Sequence, residues 1–333
     1  MEIAQTHWLA HKKIMATAEQ IKCLIRSHLE EDGERFYTVA LQLAAHEARQ
    51  GHASLAHEIK SLVDKSRQTR KQALVRFPNE LEGLILSEEP QERLASLVLE
   101  SGQRERIERI LNEYRQRNAL KNHGLDHRRK VLLSGPPGTG KTLTARILAS
   151  ELKLPFRTIQ VDRLVTKFMG ETSAKLRQIF DVIESSKGVF LFDEFDAIGG
   201  DRGRENDVGE MRRVLNAFLQ FIDADRSDNI IVAATNNPSL LDRALFRRFD
   251  DVLRYGLPDK TERQQLLKNL LATFKSPRFP YAKAATAAEG LSQAEITSAA
   301  RDAIKKSILA GSKTVQIESL LNSLQERQLA YLK

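Results

Sequence analysis

The chain has 333 residues, of which 41% are hydrophobic and 29% are charged, and this balance excludes wholesale disorder and collagen-like structure. One hydrophobic core rarely serves so long a chain, so we expect two or three structural units. No window approaches the roughly 18 uninterrupted apolar residues of a membrane-spanning helix, and the chain does not start with a basic stretch leading into an apolar one. The sequence therefore predicts a cytoplasmic protein without a membrane partner.

Lysine and arginine total 52 against 44 aspartate and glutamate residues, which gives a net charge of +8. This surplus permits contact with nucleic acid or another acidic partner without requiring it. The basic stretch at residues 65–71 fits such a contact, whereas the acids interspersed along the chain favour a mixed, solvated surface. Nucleic acid is therefore an alternative partner, less favoured than protein.

Residues 1–65 carry apolar side chains at helical spacing, which predicts three helices in an N-terminal recruitment domain. Six of the eight histidines lie here, but His46 and His52 are six residues apart, so they do not share a helix face as paired zinc ligands do. We interpret these histidines as surface or packing residues. Residues 66–92 are polar, contain two prolines and suggest a linker with a short extended piece.

From residue 93 to residue 258, short β-rich runs alternate with helical segments, a pattern typical of βαβ units and a parallel sheet. The predicted strands are Val131–Leu133, Phe156–Gln160, Val189–Phe192, Ile230–Ala234 and Val252–Tyr255. Residues 259–333 are helical throughout, with a capping box at Ser292 and Glu295. The predicted fold is α/β: a parallel sheet with flanking helices, a C-terminal helical domain and a separate N-terminal helical bundle.

A glycine-rich segment follows the first predicted strand and opens a helix, and it fits the pattern G-x-x-x-x-G-K-[ST]. In such a loop, backbone N–H groups converge on phosphate oxygens, Lys141 reaches the β- and γ-phosphates, and Thr142 is a ligand of Mg²⁺. The segment predicts a site for ATP and Mg²⁺. Its candidate binding residues are Gly135, Pro136, Pro137, Gly138, Thr139, Gly140, Lys141, Thr142 and Leu143.

Polar side chains follow two further predicted strands. Asp193 and Glu194 come after a fully apolar strand, and Asn236 comes after another. Because ligands of open α/β sheets bind at the carboxyl ends of the strands, we expect these residues to lie beside the phosphates. Asp193 is then a Mg²⁺ ligand and Glu194 the base that activates water, while Asn236 positions the water or contacts the γ-phosphate.

These motifs resemble the AAA family of ring-forming ATPases over about residues 95–310. Lys167–Ser173 is similar to the family's pore loop, with Phe168 and Met169 at its aromatic and hydrophobic positions. Asp193–Ile198 resembles the Walker B box, and Ala234–Pro238 resembles sensor 1. Residues 207–210, before the following helix, are a candidate second pore loop.

The resemblance implies a homo-hexamer with ATP at each subunit interface, completed by arginine fingers from the neighbour. The family has Arg-Pro-Gly-Arg-Phe-Asp at this place, whereas here Arg247 and Arg248 are adjacent, without the two-residue spacer. Arg248, beside Phe249 and Asp250, is the closer match. Residues 289–296 resemble the family's Gly-hydrophobic-Ser-Gly-Ala-Asp-Leu lid segment, and Ala294 stands where other AAA+ clades carry a sensor-2 arginine.

The leading hypothesis is ATP-driven protein remodelling, in which an aromatic loop at Phe168 grips a polypeptide and threads it through the ring. The sequence contains neither H-E-x-x-H nor G-x-S-x-G, so proteolysis would require a separate protease. Residues 1–65 are the candidate contact for such a protease or an adaptor. A nucleic-acid motor or loader and an ATP-dependent assembly switch are the alternatives.

Overall fold

The computed structural model describes residues 18–29, 33–72, 81, 83–167, 171–199, 205–241, 243–275 and 278–330. The chain divides into two compact units, residues 1–76 and residues 77–333. Among the described residues, no helix has the length and apolar character needed to cross a membrane.

The N-terminal unit contains three helices, α1 Ala18–Leu29, α2 Gly33–Arg49 and α3 Ala53–Gln72. Both α1 and α3 pack on α2. Tyr37, Ala40 and Val63 form the buried centre of this small core. Helix α3 continues past residue 65, where the sequence suggested a linker. In the described part of the chain there is no group of three or more side chains suited to a metal ion.

The second unit is built on a six-stranded sheet with the strand order β1-β3-β4-β5-β2-β6. Every neighbouring pair is parallel except β1 with β3. The strands are β1 Ile85–Glu88, β2 Lys130–Ser134, β3 Phe156–Gln160, β4 Val189–Asp193, β5 Ile230–Thr235 and β6 Asp251–Arg254. The five predicted strands are present, and the α/β fold class with a mostly parallel sheet is confirmed.

Strand β1 lies inside the segment that the sequence suggested to be a linker. It has four residues and pairs antiparallel with β3 at the edge of the sheet. Leu84 and Ile85 are buried there. Only three consecutive apolar residues, Leu84, Ile85 and Leu86, precede the polar stretch, so the local pattern was too short to predict a paired strand.

Helices cover both faces of the sheet. Along β4, Phe190 and Phe192 enter the core on one face, whereas Val189 and Leu191 enter the core on the other. This alternation explains why the central strands are continuously apolar. The helices of this unit before the C-terminal helical domain are α4 Ser101–Arg115, α5 Arg117–Asn122, α6 Lys141–Leu152, α7 Val161–Lys167, α8 Thr172–Ser185, α9 Asp196–Gly199, α10 Glu205–Ala224 and α11 Arg243–Phe246.

The C-terminal helices form a lid with its own core. They are α12 Lys260–Leu270, α13 Tyr281–Ala287, α14 Gln293–Leu309 and α15 Ile317–Leu329. The predicted capping box is present: the Ser292 hydroxyl accepts from the Glu295 amide, and the Glu295 carboxylate accepts from the Ser292 amide. Small residues of α14, including Ala299 and Ala303, are fully buried in this core. They let the neighbouring helices approach closely.

Two acids hold the start of β2. Asp250 accepts hydrogen bonds from the backbone amides of Arg129 and Lys130, each 2.9 Å long. The Arg129 guanidinium forms a buried ion pair with Asp225 and also donates to the Asp225 carbonyl at 2.6 Å. The strand that carries the phosphate loop is therefore held at its amino end by charge-assisted bonds.

Replacing Asp225 with alanine should destabilise the second unit by about 3 kcal/mol, because it leaves the buried Arg129 guanidinium bonded to a backbone carbonyl but without an opposite charge. Urea denaturation followed by circular dichroism measures this loss. Glu108→Ala is the matched control, since Glu108 pairs with Arg104 at the exposed surface, and it should cost less than about 0.5 kcal/mol. Equal costs for the two variants would contradict the importance of the buried pair.

Candidate active site

The phosphate loop connects the end of β2 to the start of α6, and its glycines are required by close packing. Gly135 has φ of 145°, and a Cβ at this position would lie 2.2 Å from the Tyr255 carbonyl oxygen. Gly138 has φ of 74°, and its Cβ would lie 2.7 Å from Oγ of Ser292. Side chains at these positions would force the loop away from the strand end and from the lid.

The remaining residues of the phosphate loop leave its outer side accessible to solvent. Pro136 and Pro137 are exposed, whereas Thr139 is fully buried and donates to the Pro136 carbonyl at 2.8 Å. Leu143 packs its side chain against the sheet core. Backbone amides at the start of α6 therefore remain the groups that can reach an anion.

Lys141 folds back over this loop. Its Nζ donates to the carbonyl oxygens of Gly135 and Pro136, at 2.7 Å each. Burial lowers the pKa of Lys141 below its ordinary value, and the carboxylates of Asp193 and Asp196 oppose this shift. A cation held only by carbonyl oxygens can transfer to the stronger acceptor oxygens of a phosphate.

The structure brings Thr142 and Asp193 together although they lie far apart in the chain. The Thr142 hydroxyl donates to Asp193 Oδ2 at 3.2 Å. A hydroxyl and a carboxylate are hard oxygen donors, and beside a phosphate loop this pair suits Mg²⁺, which uses few protein ligands and several waters or phosphate oxygens. The two residues therefore fit the metal that the sequence predicted.

Glu194 occupies a strained position directly after β4. Its φ of 52° places a non-glycine residue in the left-handed region. Its backbone amide donates to Asp193 Oδ1 at 3.0 Å, and its side chain is exposed. The turn thus directs the Glu194 carboxylate away from the sheet core, where it can contact water or a ligand.

Asp196 connects this turn to the neighbouring strand β5. Its Oδ1 accepts from the Thr235 hydroxyl at 3.0 Å and from the Asn236 backbone amide at 3.1 Å. The Phe195 amide donates to the Ala234 carbonyl at 2.8 Å. These bonds hold Asn236 at the same sheet edge as Glu194. Asp196 lies inside the predicted Walker B box, but its role depends on a cross-strand contact that the sequence does not show.

Arg247 and Arg248 lie at the opposite end of the sheet. They precede β6, and Asp250, two residues after Arg248, binds the amides at the start of β2. β2 has five residues, so at about 3.3 Å per residue its length puts roughly 16 Å between these arginines and the phosphate loop. Arg247 is exposed, and Arg248 forms an ion pair of 2.8 Å with Asp223.

The lid reaches the phosphate loop through the first turn of α14. The Ala294 amide donates to the Gly138 carbonyl at 3.0 Å. Behind the loop, the Tyr255 hydroxyl donates to Thr144 Oγ1 at 2.7 Å, and burial raises the Tyr255 pKa well above its ordinary value. Tyr255 therefore stays protonated and links the end of β6 to α6. No local motif in the sequence signals this link.

The pore-loop residues Phe168 and Met169 lie outside the described residues. The candidate second pore loop, residues 207–210, lies within helix α10, which begins at Glu205. The expectation that these residues precede the helix is wrong, because the helix starts before the glycine at position 209 rather than after it.

Replacing Asp196 with alanine should lower kcat for ATP at least tenfold and leave KM for ATP nearly unchanged, since the phosphate loop is intact while Asn236 loses its anchor. Asp196→Asn is the matched control, because an amide oxygen can still accept both hydrogen bonds, and it should retain most of the activity. Steady-state phosphate release measures both constants. An alanine variant with unchanged kcat would refute the positioning role of Asp196.

Sequence comparison with known proteins agrees with the ATP site that this geometry suggests. The model of the ATPase family associated with various cellular activities (AAA) matches residues 131–257. An uncharacterized AAA family ATPase of Sinorhizobium fredii, y4kL, is 33% identical over 320 residues, which cover 94% of this chain and 96% of that protein.

Two further relatives match mainly the second unit. A putative 26S proteasome regulatory subunit homolog of Methanothermobacter thermautotrophicus is 32% identical over 207 residues, which are 61% of this chain and 56% of that protein. An ATP-dependent zinc metalloprotease FtsH 4 of Sphaerobacter thermophilus is 40% identical over 163 residues, which are 46% of this chain and 24% of that protein. Together with the match over nearly the whole length of y4kL, these results show that the chain belongs to the AAA family and is an ATPase.

Proposed function

We propose that this ATPase remodels proteins as a homo-hexameric ring, with ATP hydrolysed at each interface between subunits. The position of Arg247 and Arg248 supports the ring most directly. They lie at the amino end of the sheet, whereas the phosphate loop lies at the carboxyl end. An arginine at this place can reach a γ-phosphate only in another copy of the chain, and head-to-tail contacts of this kind close into rings.

Within one subunit, the described side chains have distinct roles. The backbone N–H groups from Gly138 to Leu143 bind the phosphates, and Lys141 exchanges its two carbonyl partners for β- and γ-phosphate oxygens. Glu194 removes a proton from the attacking water, while Asn236 orients that water at the next strand end. Mg²⁺, held by Thr142 and Asp193, supplies positive charge that neutralises the phosphates when it is bound.

The neighbouring subunit completes the reaction. Arg248 leaves Asp223 and donates to the γ-phosphate of the adjacent site, with Arg247 as the second cation. An arginine finger contributes about 10³ to 10⁵ in rate in related phosphoryl-transfer enzymes. The ion pair with Asp223 is half-exposed, so it costs little to break when the neighbour's phosphate arrives.

Protein is the proposed substrate. In the sequence, Phe168 and Met169 stand between Lys167, the last residue of α7, and Thr172, the first residue of α8. An aromatic residue can grip an extended chain through apolar contact without sequence preference. The relatives named as a proteasome regulatory subunit homolog and as an ATP-dependent metalloprotease support a protein substrate. The first of them also supports a separate protease as partner.

The N-terminal unit is proposed to recruit the substrate, an adaptor or the protease. Ile25 and Leu62 are large apolar residues that remain more than half exposed on α1 and α3. The alternatives are a nucleic-acid motor or loader, favoured by the net charge of +8, and a slow ATP-dependent assembly switch. DNA-stimulated turnover that falls steeply with salt would favour the motor or loader.

Lys141→Ala and Arg248→Ala proteins should each be nearly inactive, and mixing them should restore turnover. In a mixed ring, an Arg248→Ala site binds ATP and receives Arg248 from a Lys141→Ala neighbour. Random 1:1 assembly makes roughly a quarter of the interfaces competent. Phosphate release from the mixture measures this.

Arg226→Ala is the control for the loss of an exposed arginine, since Arg226 lies in the connection between α10 and β5. This variant should hydrolyse ATP at the wild-type rate. A mixture no faster than the sum of its two parts would contradict catalysis across an interface. ATP binding by Lys141→Ala at the wild-type affinity would refute the role of the phosphate loop.

Glu194→Gln protein should bind ATP, hydrolyse it far more slowly and hold its substrate. Recovered from its native cells in Mg-ATP, it should form a particle of about six chains that contains trapped polypeptide. Adding Phe168→Ala should abolish trapping, while Phe168→Tyr, which keeps an aromatic ring, should preserve it. Nucleic acid without trapped protein, or a particle of one or two chains, would refute threading and favour the loader or the switch.

A further inference from the structure

Residues 89–100, here called the strap, run from β1 along α6 to the lid. Glu92 accepts from the Arg146 guanidinium at 2.8 Å. The Leu94 amide donates to Glu151 Oε1 at 3.0 Å. Further along, Leu97 is buried in the core of the sheet, while the next residue, Val98, is buried in the core of the lid. The strap therefore links the helix of the phosphate loop to the lid.

Gln293, the first residue of α14, lies against two separate segments, the strap and the phosphate loop. Its Nε2 donates to the Val98 carbonyl of the strap at 2.8 Å. Its Oε1 lies 3.2 Å from the position that a Cβ on Gly140 would occupy, so it touches the phosphate loop. The adjacent Ala294 amide binds the Gly138 carbonyl. Gln293 also lines a cavity of about 230 Å³ between the strap, the end of β6 and the start of α12.

The side chain at this position distinguishes the chain from the pattern it resembles. That pattern has glycine between its serine and alanine, whereas this chain has Gln293 between Ser292 and Ala294. A glycine has no side chain that could bind the strap. The hydrogen bond from lid to strap, which adds to the burial of Val98 in the lid core, therefore comes from a residue that the general motif does not supply.

We propose that Gln293 is a positioning residue that couples nucleotide binding at the phosphate loop to the lid and the strap. When the backbone N–H groups of the loop bind phosphates, the loop moves. Its contacts through the Gly138 carbonyl and Gly140 then move the first turn of α14 in the same direction. Through its amide, Gln293 transmits this movement to Val98. Helix α14 has 17 residues and is therefore about 25 Å long, so a rotation of its first turn displaces its far end.

This inference rests on ATP binding at the phosphate loop, and it makes a specific prediction for the kinetic constants. Gln293→Ala should raise KM for ATP about fivefold, the value of one net hydrogen bond, and change kcat less than twofold. Gln293→Glu should raise KM more than tenfold, because it loses the donor to Val98 and places a negative charge beside the phosphate loop, where it repels an anionic ligand. A KM within twofold of wild type in both variants would overturn the proposal.

Gln328→Ala is the matched control for a purely structural role. Gln328 is also a glutamine of the lid, and its Nε2 donates to the carbonyl oxygens of Ala287 and Glu289 at 2.9 and 3.0 Å. Both of these bonds lie within the lid. The control variant should lower the melting temperature without changing KM, and a rise in KM equal to that of Gln293→Ala would show that lid stability alone is responsible.

Hydrogen exchange of the full chain tests the coupling directly. In the wild type, ATPγS with Mg²⁺ should slow amide exchange in peptides from both the phosphate loop and residues 94–100. In Gln293→Ala it should slow exchange in the loop only. Equal protection of the strap in the two proteins would overturn the proposal. If ATPγS did not slow exchange in the phosphate loop of the wild type, nucleotide binding at the loop would be contradicted instead. The experiment therefore distinguishes failure of the coupling from failure of the proposed ATP site.

Discussion

Parallel pairing of β4, β5 and β2 brings three strand ends to one edge of the sheet. The phosphate loop, the two acids and Asn236 each follow one of these strands, so their proximity is a consequence of hydrogen bonding between strands rather than of sequence spacing. Asp196 then connects β4 to β5 by accepting two bonds from the end of β5. The chemistry of the site depends on this edge remaining in register.

The same sheet separates Arg247 and Arg248 from the phosphate loop of their own chain. Strand β6 runs parallel to β2, so residues before β6 lie at the amino ends of the strands. Asp250 and the buried pair of Arg129 and Asp225 hold that end firmly. Strand β2 separates the phosphate loop from Arg248 within one chain. In the proposed ring, Arg248 therefore acts on the γ-phosphate of a neighbouring subunit, and hydrolysis would depend on contact between subunits.

The lid contacts the site by a short route. Gly138 and Gly140 have no side chains, so the first turn of α14 approaches the loop closely enough for a backbone hydrogen bond. The strap adds a second connection through Val98, which is buried in the lid core. The phosphate loop, the lid and the strap therefore share contacts within a few residues, and a change at one of them has a direct path to the others.

The sequence alone determined the α/β class, five of the six strands, the capping box of α14 and the candidate residues of the phosphate loop and strand ends, because these follow from local periodicity and short motifs. Only the tertiary structure decided that β1 pairs at the sheet edge, that residues 207–210 are helical, and that Asp196, Tyr255 and Gln293 join separate segments around the site. Local patterns record which face of an element is apolar. Partners distant in the chain are set by packing and by hydrogen bonds that form only when the sheet and the lid have assembled.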